Sequence, residues 1–232
     1  MNHRLINSIQ IPREAHSLKH WLLLISGLFV MALGVAFSIK ADLGTSPISS
    51  VPYVLSVITP MSVGIATIVL HCVLIALQII ILRNRYRLFQ LLQLPVAFVF
   101  GWMTDFAVSL TERVAYSNYF EQIILCAVGI ILVGVGVWME VHSKIITVAG
   151  EGFVLAMCQA TPIKFGNMKV IFDASLVAIS CVLGLTFAGG IYGVREGTVA
   201  AALCVGLITK LISHVFDQFE NHRGSSNYAS QH

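Results

Sequence analysis

Apolar residues run in long blocks along this chain, and short clusters of charge, glycine and proline separate the blocks. The runs near 21–39, 63–82, 91–110, 123–139, 170–188 and 198–216 are each about twenty residues long, enough for an α-helix to cross a bilayer. A helix over 21–39 rises about 28 Å, against a hydrocarbon thickness of roughly 30 Å. The pattern predicts an all-α integral membrane protein with six transmembrane helices.

Two other apolar stretches are too short to cross. Residues 47–58, PISSVPYVLSVI, reach only about 18 Å as a helix. Thr45 or Ser46 suits its cap and Pro47 its first turn. If this stretch crossed, the run 63–82 would invert and carry the RNRYR cluster at 83–87 to the outer side. Residues 44–58 and 146–160 are therefore expected to be short re-entrant half-helices. Non-spanning backbone at that depth needs protein or a watery cavity around it.

Charge sets the orientation. With six spans and the N-terminus inside, the cytoplasmic segments hold Arg4, Arg13, Lys19, Arg83, Arg85, Arg87, Lys144, Lys164, Lys169 and Arg223. Lys210 can snorkel to the same side, while the outer side keeps Lys40, Arg113 and Arg195. Both termini are thus expected in the cytoplasm of a bacterial inner membrane. With 57% hydrophobic and 11% charged residues, the chain lacks the polar surface a soluble domain needs. The net charge of +3 is explained by orientation and gives no reason to expect a nucleic-acid partner. The partners implied are the lipid bilayer and a small-molecule solute, and a homo-oligomer stays open. The first run is too long for the apolar core of a signal peptide, and five more follow. Cys72, Cys126, Cys158, Cys181 and Cys204 lie in apolar stretches without CxxC spacing, so they read as packing residues. No metal site, cofactor or disulfide framework is implied.

A shift of 102 residues aligns Gly27 with Gly129, Gly34 with Gly136, Thr45 with Thr147, the TP at 59–60 with that at 161–162, and Gly64 with Gly166. A shift of 105 aligns Gly101 and Thr104 with Gly206 and Thr209. Glycine, threonine and proline mark caps and turns, so these matches point to an internal repeat. The chain divides into a cytoplasmic tail (1–20), a first three-span repeat (21–112), an outer loop (113–120), a second three-span repeat (121–216) and a disordered cytoplasmic tail (217–232). Three crossings per half invert the second repeat, the plan of many secondary transporters, whose interrupted helices meet near the midplane.

Candidate chemistry clusters on the short segments. Free N–H groups at the start of 47–58, with the hydroxyls of Thr45, Ser46, Ser49 and Ser50, suit an anionic or polar group. The second segment offers Thr147, Gly150 and Glu151. A carboxylate at membrane depth costs on the order of 3 kcal/mol unpaired, so Glu151 invites a coupling cation, a proton or a substrate amine. Asp173 and His71 are equivalent under the 102 shift; they either relay protons or simply pack. Asp105 and Lys210 occupy matching places and read as snorkelling or structural groups. Arg195 and Glu196 form either a gate at the outer mouth or an interfacial pair of little energetic value.

ADLGTSPISSVPYVLS (41–56), LLQLPVAFVFGWMTD (91–105), GEG (150–152) and GVREGT (193–198) together resemble the YczE/YitT-type bacterial integral membrane proteins, over roughly residues 20–216. Ala149 stands where similar proteins often carry proline before GEG. The resemblance implies a multi-span bacterial membrane protein, generally assigned as a transporter with no established substrate, and brings no agreed catalytic residues. The function expected is secondary transport of a small polar or anionic solute, with proton or ion coupling. A non-transporting membrane partner or sensor is the alternative, and a membrane-embedded enzyme ranks last. ATP-driven transport would need a GxxxxGK[ST] loop, and hydrolysis an HExxH-like cluster; the sequence has neither, so the chain is not expected to be an enzyme.

Overall fold

A computed structural model describes residues 17–229 as eight α-helices, with no strand among the described residues. The tail residues 1–16, with Arg4 and Arg13, and residues 230–232 lie outside the described residues. In order the helices are α1 (Leu18–Ala41), α2 (Pro47–Ile58), α3 (Val63–Leu82), α4 (Gln93–Thr111), α5 (Tyr119–Ser143), α6 (Ala149–Ala160), α7 (Phe165–Phe187) and α8 (Glu196–Ala229). Short 3-10 turns over Arg83–Arg85 and Leu88–Leu92 join α3 to α4. Six of the helices are long and apolar enough to cross a membrane: α1, α3, α4, α5, α7 and α8 as far as Phe216. The protein is a multi-pass helical membrane protein. The two stretches expected to be short form the twelve-residue helices α2 and α6.

Helix ends differ from expectation in two places. Ser46 does occupy the N-cap position of α2, with Pro47 behind it, yet its side chain makes no capping bond. Its hydroxyl donates instead to Ser49 Oγ at 3.0 Å. The Ser49 and Ser50 N–H groups already bond to the Ser46 carbonyl, and Pro47 has no N–H, so little is left there to cap. At the other end of the chain, α8 continues past 216 to Ala229, into the stretch read as a disordered tail. No proline interrupts it, and Gln218 Nε2 lies 3.0 Å from His214 Nε2, the contact of helical i,i+4 neighbours.

The tightest packing is between α1 and α5, which cross antiparallel on glycines. A Cβ on Gly34 would sit 2.7 Å from the Gly129 carbonyl, and one on Gly136 would sit 2.7 Å from the Gly27 carbonyl. Within a bilayer no hydrophobic force drives helices together, so small residues that let backbones approach supply the attraction. Leu24, Leu28, Met31, Val35, Val96, Phe100 and Val133 close this core from α1, α4 and α5. A second core gathers Val51, Leu74, Ile75, Val154, Met168, Phe172 and Leu176 from α2, α3, α6 and α7. In it α2 packs on α7 and α6 packs on α3, so each short helix leans on the other half of the chain.

The turns leading into the short helices are built alike. Asp42 ends α1 in the left-handed region at φ 54, ψ 24, and Lys144 ends α5 at φ 53, ψ 18. Thr59 ends α2 at φ −133, ψ 164, and Thr161 ends α6 at φ −131, ψ 157. Each threonine hydroxyl bonds back to a carbonyl four residues earlier, at 2.6 and 2.8 Å.

Asp105 has a structural place. It accepts from Ser62 Oγ at 2.6 Å and from the Gly64 N–H at 2.7 Å, holding the start of α3 against α4. The charge-assisted bond to a helix N-terminus stabilises both helices.

Candidate functional site

Where α5 ends and α6 begins, three polar side chains are buried together. Glu140, on the last turn of α5, is only 1% exposed. Its Oε1 accepts the Val148 N–H at 2.7 Å, which folds the 144–148 turn back onto α5. Its Oε2 has no partner. Gln78 of α3, fully buried, donates from Nε2 to Gln93 Oε1 (3.1 Å) and to the Ala149 carbonyl (3.2 Å), while its own Oε1 has no partner. Gly152 makes room for this pair, since a Cβ there would lie 2.9 Å from Gln78 Oε1.

Glu151 lies in the first turn of α6, and its carboxyl faces that of Glu140 closely enough to interact directly. Its Oε2 is buried and unpartnered as well. Lys169 and Asp173 on α7 also act on it electrostatically. Beside Glu140 a cavity of about 380 Å³ opens, lined by Arg87, Gln90, Gln93, Lys144, Thr147, Gly152 and Gln159 among others. That volume falls at the small end of ligand sites, which run from about 300 to 1,000 Å³.

The residues singled out from sequence fall into separate groups. Thr147 lines the cavity, and Gly150 packs against the Ile48 side chain, which brings the first turns of α2 and α6 together. Thr45, Ser46, Ser49 and Ser50 are buried at the start of α2 and do not line the cavity. Thr45 is bound to the 189–198 loop, its N–H donating to the Gly193 carbonyl at 2.9 Å. The Ser50 hydroxyl donates to the Pro47 carbonyl at 2.7 Å, and the Ser50 carbonyl accepts from Ser180 Oγ on α7 at 3.1 Å. His71 is buried with its ring stacked on Phe100 at 5.9 Å between centroids, and its Nδ1 has no partner. Asp173 is taken by Lys169 at 2.7 Å, and no hydrogen bond or ion pair joins it to His71. Arg195 donates to the Asp42 carbonyl at 2.7 Å and pairs with Glu196 at 3.3 Å; Tyr119 OH donates to the same Glu196 oxygen.

Glu140, Gln78 and Gln93 were not foreseen. Glu140 follows immediately on the run 123–139 and reads as a boundary residue, while the two glutamines sit singly inside apolar runs. Their depth was the available signal, because an amide or carboxyl inside a spanning run has to find a partner.

Fold and site together define a polytopic membrane protein whose half-length helices meet beside a polar cavity. The chain belongs to a family of unknown function, DUF6198, which covers residues 18–214. It is also similar to the uncharacterized protein YyaS of Bacillus subtilis (strain 168), 26% identical over 192 residues that span 82% of this chain and 88% of YyaS. No solved structure matches it significantly.

Proposed function

We propose that the protein is a secondary transporter, not an enzyme, that moves a small polar or anionic solute across the bacterial inner membrane with proton or ion coupling. Both termini are cytoplasmic in this reading, and the RNRYR cluster faces the cytoplasm. Residues 21–112 and 121–216 form two inverted repeats about a pseudo-two-fold axis in the membrane plane, with α2 and α6 as the re-entrant half-helices. The YczE/YitT-type resemblance points the same way.

The observation that carries the reading is that two equivalent junctions are in opposite states. The αL caps Asp42 and Lys144 stand 102 residues apart, as do Thr59 and Thr161. The contacts Gly27–Gly136 and Gly34–Gly129 exchange under the same shift, and Ile48 touches its own equivalent, Gly150. Yet the α1–α2 junction is sealed by the 189–198 loop, whereas the α5–α6 junction holds the cavity. Repeats in unlike states around one site are what alternating access requires. Glu151, Asp173 and His71 carry the coupling, Arg195 and Glu196 latch the closed side, and Thr45, Ser46, Ser49 and Ser50 meet the solute when that side opens.

The test is uptake. A solute that raises the melting temperature of the purified protein should enter proteoliposomes saturably, driven by an imposed proton or ion gradient, and Glu151→Gln should abolish the coupled component. A solute that binds and is never carried across would favour the sensor reading instead.

A further inference from the structure

We propose that the α5–α6 cavity binds a small zwitterion, with its ammonium at Glu140 and its anionic end at Arg87 and Lys144. This deepens the transporter reading by naming the solute class of the same site, and it is tested by binding so that the two can fail separately.

The buried end of the cavity is marked by Glu140, which lines it and whose Oε2 has no hydrogen-bond partner. Glu151 Oε2 and Gln78 Oε1 are buried and unpartnered as well, although neither residue lines the cavity. A buried acceptor left without a donor is costly, more so when it is charged. A primary ammonium brings three N–H donors and no acceptor. It also places a positive charge beside the facing Glu140 and Glu151 carboxyls.

The mouth has the opposite character. Arg87 and Lys144 line the cavity, are exposed, and neither side chain forms an ion pair or hydrogen bond with a described residue. Two unengaged cations at the exposed end and the unpartnered Glu140 oxygen at the buried end give the cavity two poles of opposite charge. A simple anion gains at the mouth and is repelled at the bottom, and a simple amine meets the reverse. Only a molecule carrying both charges satisfies both ends. Gln90, Gln93 and Gln159 add neutral amides along the wall between.

The experiment measures binding to the purified full-length protein in detergent by titration calorimetry and thermal shift. The probes are the twenty α-amino acids and the ω-amino acids from glycine to 6-aminohexanoate. Each is run beside its matched amine, its matched carboxylate and its N-trimethyl derivative, which lacks N–H donors. At least one zwitterion should bind about tenfold or more tightly than all three controls, the difference expected from one charge-assisted hydrogen bond. Glu140→Gln, which keeps the acceptor for Val148 but puts an NH₂ where the ammonium would sit, should weaken that zwitterion about tenfold or more. Should that variant misfold, the exposed double variant Arg87→Gln/Lys144→Gln should weaken it similarly. A control that binds as well as its zwitterion would overturn the proposal, and so would a panel with no binder. Zwitterion binding without uptake would retain the site and reject transport. Coupled uptake of a simple anion with no zwitterion binding would do the reverse.

Discussion

The two junctions that feed the short helices share a backbone and differ in what fills them. At the first, residues 42–46 are clamped by the loop before α8 and by the first turn of α8. Thr45 N–H bonds to Gly193 O, Gly197 N–H to Leu43 O at 2.7 Å, and Arg195 to Asp42 O. Gly193 lies so close to Tyr53 that a Cβ there would sit 2.5 Å from the ring. At the second, the hydrogen bonds that hold 144–148 come from α5 itself, from Val141, Ser143 and Glu140, and a cavity remains. The position 102 residues before Glu140 is Ser38, whose hydroxyl is spent on its own helix at Gly34 O, 2.9 Å away. One junction has exchanged side-chain chemistry for closure, while the other keeps unpaired carboxyls beside open space. Similar backbones thus carry unlike contacts.

A similar asymmetry separates the helix pairs that complete each half. Gly64 and Gly101 bring α3 and α4 into backbone contact, locked by Asp105. A Cβ on their counterparts Gly166 or Gly206 would meet open space, and α8 shows Val199, Leu203, Leu207 and Leu211 at its surface. The largest predicted effect follows from this difference. In Gly64→Ala the new Cβ would lie 2.5 Å from the Asp105 carboxyl carbon and nearer still to the Gly101 carbonyl. Overpacking, together with loss of the charged bond, should cost about 3–5 kcal/mol. Gly166→Ala should be neutral or gain up to about 1 kcal/mol, as alanine is the better helix former. Thermal unfolding of both variants in one detergent checks the pair, and equal shifts would break the comparison.

Next in size is the hinge of the closed junction. Gly44 has φ +99, and a Cβ there would meet Thr198 Oγ1 at 2.5 Å and the Arg195 nitrogen at 2.7 Å. Gly44→Ala should cost about 2–3 kcal/mol, from left-handed strain plus the clash. The equivalent position carries Ile146, half-buried on the cavity wall, so Ile146→Ala should cost no more than about 1 kcal/mol. The same thermal measurement decides whether the two junctions differ in tightness as their contacts imply.

Most of this architecture was legible in the chain. Twenty-residue apolar runs have one stable solution in lipid, and the stretch 47–58 stood out as a separate short helix, which it is. The glycines at 27, 34, 129 and 136 signalled a relation between positions, because small residues at helix crossings are set by geometry. The site was harder to see. Glu140 and Gln78 owe their interest to the partners they lack, and an unmade bond leaves no local pattern. Asp105 and His71 looked alike as polar residues inside apolar runs, yet one is fully engaged at a helix start and the other is stacked on Phe100. Which polar residue is spent and which is spare depends on contacts between distant segments.

The smallest effect on stability, and the sharpest on the comparison, is expected from Arg195→Ala. The side chains of Arg195 and Glu196 are 44% and 50% exposed, so their pair contributes no more than about 1 kcal/mol. The backbone bonds Thr45–Gly193 and Gly197–Leu43 survive the change, so unfolding should barely move. The guanidinium bond to Asp42 O is lost, however, and it ties the loop to the end of α1. In a background with the five cysteines replaced, Tyr53→Cys reports the closed junction and Leu155→Cys, on the cavity wall, the open one. With Arg195 present, the thiol at 155 should react with a water-soluble maleimide much faster than the thiol at 53. Arg195→Ala should accelerate labelling at 53 by up to about fivefold, the population change that about 1 kcal/mol commands. Comparing Arg195 with Ala inside the same Tyr53→Cys background cancels the space left by the missing ring. If labelling at 155 slows as labelling at 53 quickens, the junctions are coupled and Arg195 is a latch. If 53 alone responds, the loop merely frays, and if neither responds, Arg195 and Glu196 are an ordinary interfacial pair.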